Sequence, residues 1–238
     1  MAEGPKLLDE ALRAGAMVEA VLVAASHAAP LRDRLERASQ RGARIIVVAD
    51  GVLERASDTV SPQPVAAIVE TIHVPLEVVD LTGLAVVCAG VQDPGNAGTV
   101  IRSAAATGVG AVVFCANGVD VYNPKVVRAS AGSLFHVPVV CAGTATEVLG
   151  HLGARGVRRV ASAARGGRDH DRMDWSGPSA LVLGSESQGL AADLDGLLDE
   201  RVTIPMAPDV ESLNVAMAAT VICFEADRQR RQVGGARP

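Results

Sequence analysis

Three short segments of this 238-residue chain gather the residue types that anion-binding and acid–base chemistry needs. The first is Asp93-Pro94-Gly95-Asn96-Ala97-Gly98, with Arg102 one helical turn beyond it. The second is Gly184-Ser185-Glu186-Ser187-Gln188-Gly189, and the third is Ile204-Pro205-Met206 running on into Ser212-Leu213-Asn214. Each begins where an apolar, strand-like run stops and a turn rich in Gly, Asn or Ser starts. Open α/β sheets bind ligands at the carboxyl ends of their strands, so the three turns are expected to build one composite site.

In the first segment Asp93-Pro94 opens a tight turn, and Asn96 is placed to cap the helix that follows. Gly98 precedes Arg102 by four residues and shares its helix face. That spacing predicts open room for the guanidinium near a helix end whose N–H groups favour anions. A fork-shaped cation there suits a phosphate group; an ordinary cap and a surface arginine would use the same residues. No Gly-Lys-Ser/Thr follows, which excludes a P-loop. In the second segment Gly184 and Gly189 permit close backbone approach and positive φ, and Glu186 is its lone carboxylate. In the third, Ser212 is expected to cap a terminal helix. Asn214 would then fall two residues inside that helix, where its propensity is poor and a partner of its own is expected.

The elements that hold these turns follow from patterning. Apolar residues make up 49% of the chain and aromatics only 2%, so the core is built from Val, Leu, Ile and Ala. Continuous aliphatic runs of this kind mark a parallel sheet buried on both faces. Residues 1–72 read as a small α/β unit: a helix over Lys6 to Ala14, strands at Val18 to Ala25 and Ala43 to Ala49, a charged helix at Leu31 to Gln40, and an aliphatic run from Val65 to Val69. Residues 73–83, with Val74-Pro75-Leu76, read as a linker. From residue 84 to 238 strands and helices alternate. The strands are expected at Leu84 to Val91, Ala111 to Cys115, Val137 to Cys141, Arg159 to Ala163, Ala180 to Leu183 and Arg201 to Ile204. Helices are expected at Ala97 to Thr107, Lys125 to Ser130, Thr144 to Leu152 and Leu213 to Arg231. This alternation predicts a mostly parallel sheet with helices on both faces.

The formal net charge of −5 argues against a general nucleic-acid binder. Charge position matters more: arginines cluster at Arg32, Arg34, Arg37, Arg41 and Arg44, at Arg155, Arg158 and Arg159, and at Arg228, Arg230 and Arg231. Most of these are expected to pair with acids on solvated helix faces. Cys88, Cys115, Cys141 and Cys223 lack C-x-x-C spacing. They read as thiols of a reducing compartment, neither a disulfide framework nor a zinc site. No signal-peptide layout or spanning apolar run is present in the sequence, and a cytoplasmic location without membrane attachment is expected.

In order and spacing the three segments resemble the three motifs of the SpoU/TrmH family, RNA ribose 2′-O-methyltransferases of the SPOUT class, over about Leu84 to Gln232. The resemblance implies a C-terminal trefoil knot, S-adenosylmethionine as cofactor with no metal, and a homodimer. It places the cofactor against Ser162, Leu183, Gly184, Gly189, Ile204, Met206, Ser212 and Leu213, and it makes Arg102, Asn96, Glu186, Ser212 and Asn214 the polar catalytic set. Arg102 would act as base toward the ribose 2′-hydroxyl or, since a guanidinium is effectively always protonated, as an electrostatic clamp. Asn96, Ser212 and Asn214 would orient Arg102 and the ribose, and Glu186 would anchor its loop. The terminal helix would present Val215, Ala218, Ala219 and Ile222 as a stripe that is partly dimer interface. Pro208 departs from the glycine that many members carry there. The stretch Glu3-Gly4-Pro5-Lys6 leading to Glu10-Ala11-Leu12 resembles a ribosomal-protein-like RNA-binding domain, which favours ribosomal RNA as substrate, its phosphates held by the arginine clusters. The alternatives are tRNA as substrate, or a non-catalytic RNA- or ribosome-binding protein that keeps the fold. A dinucleotide-dependent oxidoreductase lacks its glycine fingerprint.

Overall fold

The computed structural model describes residues 1–57 and 61–234. It divides into two compact units, one comprising Met1–Ile72 with Ala131–His136 and the other His73–Ser130 with Val137–Pro238.

In the first unit a four-stranded sheet has the order β1-β4-β2-β3, with β1 Ala2–Glu3, β2 Val18–Ala24, β3 Arg44–Val48 and β4 Val65–Val69. Only β2 and β3 run parallel. Helix α1 (Pro5–Arg13) buries the stripe Leu7, Leu8, Ala11 and Leu12 that its spacing predicts. Helix α2 (Arg32–Gln40) buries Leu35 and Ala38. A short helix α3 (Val52–Ala56) seats Leu53 against Ala24 and Ala66. The arginines of α2 have partners inside this unit. Arg34 and Arg37 reach Asp9 of α1 at 2.8 and 2.6 Å, and Arg41 donates to the carbonyl of Leu12. Arg34 and Arg37 thus show the pairing with acids expected for most of these arginines, and all three tie α2 to α1. Among the described cations of this unit, Lys6, Arg32, Arg44 and Arg55 make no such bond.

The second unit is built on a seven-stranded sheet of order β7-β6-β5-β10-β8-β11-β9 in which every pairing is parallel. Its strands are β5 Leu84–Cys88, β6 Ala111–Phe114, β7 Val139–Cys141, β8 Arg158–Ser162, β9 Arg168–Asp169, β10 Ser179–Leu183 and β11 Glu200–Thr203. β5, β6 and β10 are buried along their whole length. Alternate residues Ala85, Val87, Val113 and Val182 meet Val148, Leu149 and Leu152 of helix α6 (Ala145–Ala154) on one face. On the other face helix α4 (Pro94–Thr107) packs on β6 and helix α7 (Val215–Gly234) packs on β10, and both helices pack on each other. The short helix α5 (Pro124–Ala129) lies against α4.

Several element ends differ from the sequence reading. β5 stops at Cys88 because the chain turns at Ala89 and Gly90 toward the first site segment. β7 begins only at Val139, after Pro138, which has no N–H to give to a ladder. β1 and β9, two residues each, are too short to leave a periodic signal. Cys88, Cys115 and Cys223 are buried and Cys141 is exposed, all four as free thiols. Burial pushes the Cys115 thiol up to about 11 and that of Cys223 up to about 12, so neither is a ready nucleophile. No helix among the described residues is long and apolar enough to cross a membrane.

Candidate active site

The three motif segments follow β5, β10 and β11, at the carboxyl ends of those strands. Asp93, not Asn96, is the N-cap of α4: its side chain accepts from the Asn96 N–H at 2.8 Å, and Pro94 occupies the first turn. Proline at the first helical position needs no N–H partner and has its φ preset, which fixes the start one turn earlier than expected. The Asn96 side chain is thereby released. Its Nδ2 donates to Glu186 Oε1 at 2.8 Å and its Oδ1 accepts from Asn214 Nδ2 at 2.9 Å.

α7 begins at Val215, two residues later than predicted, and Asn214 rather than Ser212 is its cap. Asn214 Oδ1 accepts from the N–H groups of Ala216 and Met217 at 2.9 and 3.3 Å. An Asn at this position satisfies two donors that the first turn would otherwise leave unpaired. The chain Glu186–Asn96–Asn214 is therefore fully directional. A carboxylate only accepts, so the Asn96 amide must turn its NH₂ to Glu186 and its oxygen to Asn214. Residues far apart in sequence are joined by three side chains.

Glu186 also lies 3.3 and 3.5 Å from the N–H groups of Asp93 and Gln92. Partial burial raises its pKa, but the hydrogen bonds from Asn96, Asp93 and Gln92 outweigh that and hold it below the ordinary 4.5. A depressed folded-state value means that its stabilisation is complete above that ordinary value and is lost as pH falls through the lower one. The thermal midpoint, followed downward in pH, should decline below about 4.5, and less steeply in Glu186→Gln.

Two glycines shape the second segment for different reasons. A Cβ on Gly184 would lie 2.2 Å from the Gly189 carbonyl carbon and 2.4 Å from the Leu190 nitrogen, so the position has no room for one. Gly189 has open space but a φ of +71°, the left-handed region. Between them Ser185 and Gly189 exchange backbone hydrogen bonds of 2.9 and 3.0 Å, closing the loop. Gly90, which sequence reading passed over, brings the first segment to within 3.0 Å of the Ser185 nitrogen, measured from where its Cβ would be.

A cavity of about 480 Å³ opens here, within the range of small-molecule sites. Its walls include Ser162, Gly184, Gly189, Ile204, Met206, Ser212 and Leu213, with Glu186 and Asn214 at the polar side. Leu183, also named from the sequence, is buried in β10 directly beneath and does not line it. Arg102 and Asn96 are likewise not among the lining residues. Arg102 is exposed on α4 and, among the described residues, pairs with nothing. The open space predicted beside it is occupied: a Cβ on Gly98 would sit 2.3 Å from Ala129 Cβ and 2.8 Å from the Ser130 nitrogen. Gly98 lets α5 pack directly on the α4 backbone.

Asn96→Asp should set two carboxylates face to face where a donor now meets an acceptor. We expect about a tenfold loss of S-adenosylhomocysteine affinity, scaled to like charges at contact, and partial recovery when Glu186→Gln is added. Isothermal titration of the four proteins reads this; equal losses in single and double variants would show that the Asn96–Glu186 contact is idle.

A fully parallel α/β unit with a cavity at its strand ends, walled by glycine turns and closed by a carboxylate–amide chain, defines a ligand-binding domain of the open-sheet class. The chain belongs to the SpoU rRNA Methylase family, whose model matches residues 83–224. Residues 1–67 match the MRM3-like substrate binding domain. Among relatives, the chain is 32% identical over 222 residues to the 23S rRNA (guanosine(2553)-2′-O)-methyltransferase RlmP of Bacillus subtilis, covering 93% of this chain and 86% of that one. Among solved structures it is similar to the SpoU methyltransferase AviRb from Streptomyces viridochromogenes in complex with AdoMet, with a TM-score of 0.85, 32% identity, and coverage of 99% and 91%. The AdoMet-bound rRNA methyltransferase from Sinorhizobium meliloti gives a TM-score of 0.85 at 30% identity, covering 95% and 86%.

Proposed function

We propose that this protein transfers a methyl group from S-adenosylmethionine to a ribose 2′-hydroxyl of ribosomal RNA. The observation that carries the reading is the Glu186–Asn96–Asn214 chain at 2.8 and 2.9 Å beside a cavity of suitable size. The cavity fits the cofactor: Ile204, Met206 and Leu213 offer apolar contact, and Ser162, Ser185 and Ser212 are also among its lining. Pro208 takes the second position of the turn closed by the Val210 N–H and the Ala207 carbonyl at 3.1 Å, which suits its fixed φ. The departure from glycine therefore stiffens that loop without straining it.

When bound, S-adenosylmethionine supplies an electrophilic methyl group on a sulfonium. The chain's own residues do the rest. Glu186 and Asn214 hold Asn96, and through it the first turn of α4, the helix from which Arg102 projects. Arg102 grips a phosphate near the target ribose and stabilises negative charge on the 2′-oxygen as its proton leaves to water. Ser212 lies on the cavity wall, placed to orient the ribose or the cofactor. In the same reading residues 1–72 form the RNA-recognition domain and 84–238 the catalytic domain, with a knotted C-terminal path and a cytoplasmic location.

A homodimer belongs to this proposal too, through a different face of α7 from the one the sequence suggested. Ala219 and Ile222 are buried within the protomer, whereas Met217, Val221 and Phe224 are 54%, 38% and 47% exposed. These three recur at i, i+4 and i+7 and form one apolar stripe. Phe224→Asp should convert a dimer to a monomer in sedimentation velocity and reduce methyl transfer by at least about tenfold, in line with loss of a buried aromatic anchor. A wild-type monomer with full activity would refute the shared-site arrangement.

A further inference from the structure

The second unit carries thirteen described Lys and Arg residues, and its charge pairing is uneven. Arg158, Arg159, Arg168, Arg172, Arg201, Arg228 and Arg231 each have a carboxylate partner. Arg155 and Arg230 donate to backbone carbonyls. Three exposed cations have no such partner among the described residues: Arg102, Lys125 and Arg165. Two of these, Arg102 and Lys125, stand on the packed pair α4 and α5.

That pair contains no Asp or Glu, in a chain where acids outnumber bases 27 to 22. Its geometry brings the two free cations to one crest. The helices touch where Gly98 meets Ala129. Arg102 is four residues after Gly98, and Lys125 is four residues before Ala129, so each lies on the stripe that faces the crossing. Because β5, β6 and β7 are parallel, the two returning helices run in the same direction. Lys125 and Arg102 are then on the order of 12 Å apart along the axes. That separation is too wide for a single anion and suits two phosphates of one strand. Lys125 is at the carboxyl edge of the sheet, where its own N–H is capped by Asn123 at 2.9 Å.

We propose that Lys125 is a second phosphate-gripping residue, which holds the RNA strand across the Gly98–Ala129 crossing and so sets the position of the ribose relative to Arg102. This rests on the reading of Arg102 as a phosphate clamp. An uncompensated lysine contributes to RNA affinity as a point charge, in a salt-dependent way.

The experiment measures binding of total ribosomal RNA against salt concentration, together with kcat and KM for methyl transfer, in the full-length protein. Lys125→Ala should reduce the slope of log affinity on log salt by about one and raise KM for RNA about fivefold to tenfold, as expected for one lost phosphate contact. S-adenosylhomocysteine affinity should be unchanged, and Lys125→Arg should restore the slope. Arg168→Ala, which removes a cation already paired with Glu200, serves as the control and should leave the slope alone. If Arg102→Ala lowers the slope and Lys125→Ala does not, the role of Lys125 is overturned while the clamp reading stands. If neither changes it, both fall.

Discussion

Arg102→Ala should lower methyl transfer by at least about a hundredfold, the scale of removing one preorganised charge from a reacting centre, while S-adenosylhomocysteine should bind within about twofold of wild type. The structure separates the two effects. Arg102 is exposed and makes no bond within the described residues, and it does not line the cavity. Its removal should therefore shift stability by no more than about 0.5 kcal/mol, as for an ordinary surface substitution. Loss of activity in a protein of unchanged Tm and cofactor affinity then belongs to the reaction. Arg102→Lys distinguishes the two chemical roles. A clamp keeps part of its effect with a point charge and leaves the pH–rate profile where it was. A base replaced by an amine moves the profile. A strongly weakened cofactor affinity in Arg102→Ala would contradict the assignment.

Gly184→Ala should cost S-adenosylhomocysteine about tenfold to a hundredfold in affinity, the equivalent of overpacking by 1–3 kcal/mol. The added Cβ would meet the backbone of Gly189 at 2.2 Å and that of Leu190 at 2.4 Å. Backbone cannot rotate away as a side chain can, so the Ser185–Gly189 bridge must open. Gly150→Ala is the matched control, since a Cβ there meets nothing within 4 Å and the position lies in α6. It should bind the cofactor normally and gain a little stability from helix propensity. Full affinity in Gly184→Ala would mean that the second segment does not shape the cofactor site.

The parallel sheet was legible because its strands are unbroken aliphatic runs between glycine and polar turns, a pattern that depends on local sequence alone. The three turns were legible for the same reason. What sequence could not decide was which of two competent residues caps a helix. Asp93 and Asn96 stand three apart and the capping choices Ser212 and Asn214 two apart, and only the observed hydrogen bonds choose between them. The reading of α7 failed on packing. Small residues let helices approach closely, so the alanine stripe went inward against α4 and the large side chains Met217, Val221 and Phe224 were left outside. Gly98 gave the same lesson, its missing side chain making room for a neighbouring helix rather than for a guanidinium. The pairing of Arg34 and Arg37 with Asp9 was also beyond reach, because it joins residues 25 and 28 positions apart.

The central claim is tested most directly by incubating the protein with methyl-labelled S-adenosylmethionine and, separately, total ribosomal RNA and total tRNA, then digesting each RNA to nucleosides. The account predicts label in a 2′-O-methylated nucleoside from ribosomal RNA and none from tRNA. Label on a base, or label confined to tRNA, would contradict the substrate assignment; no label in either pool, from a protein that still binds S-adenosylhomocysteine, would contradict the proposed reaction on free RNA.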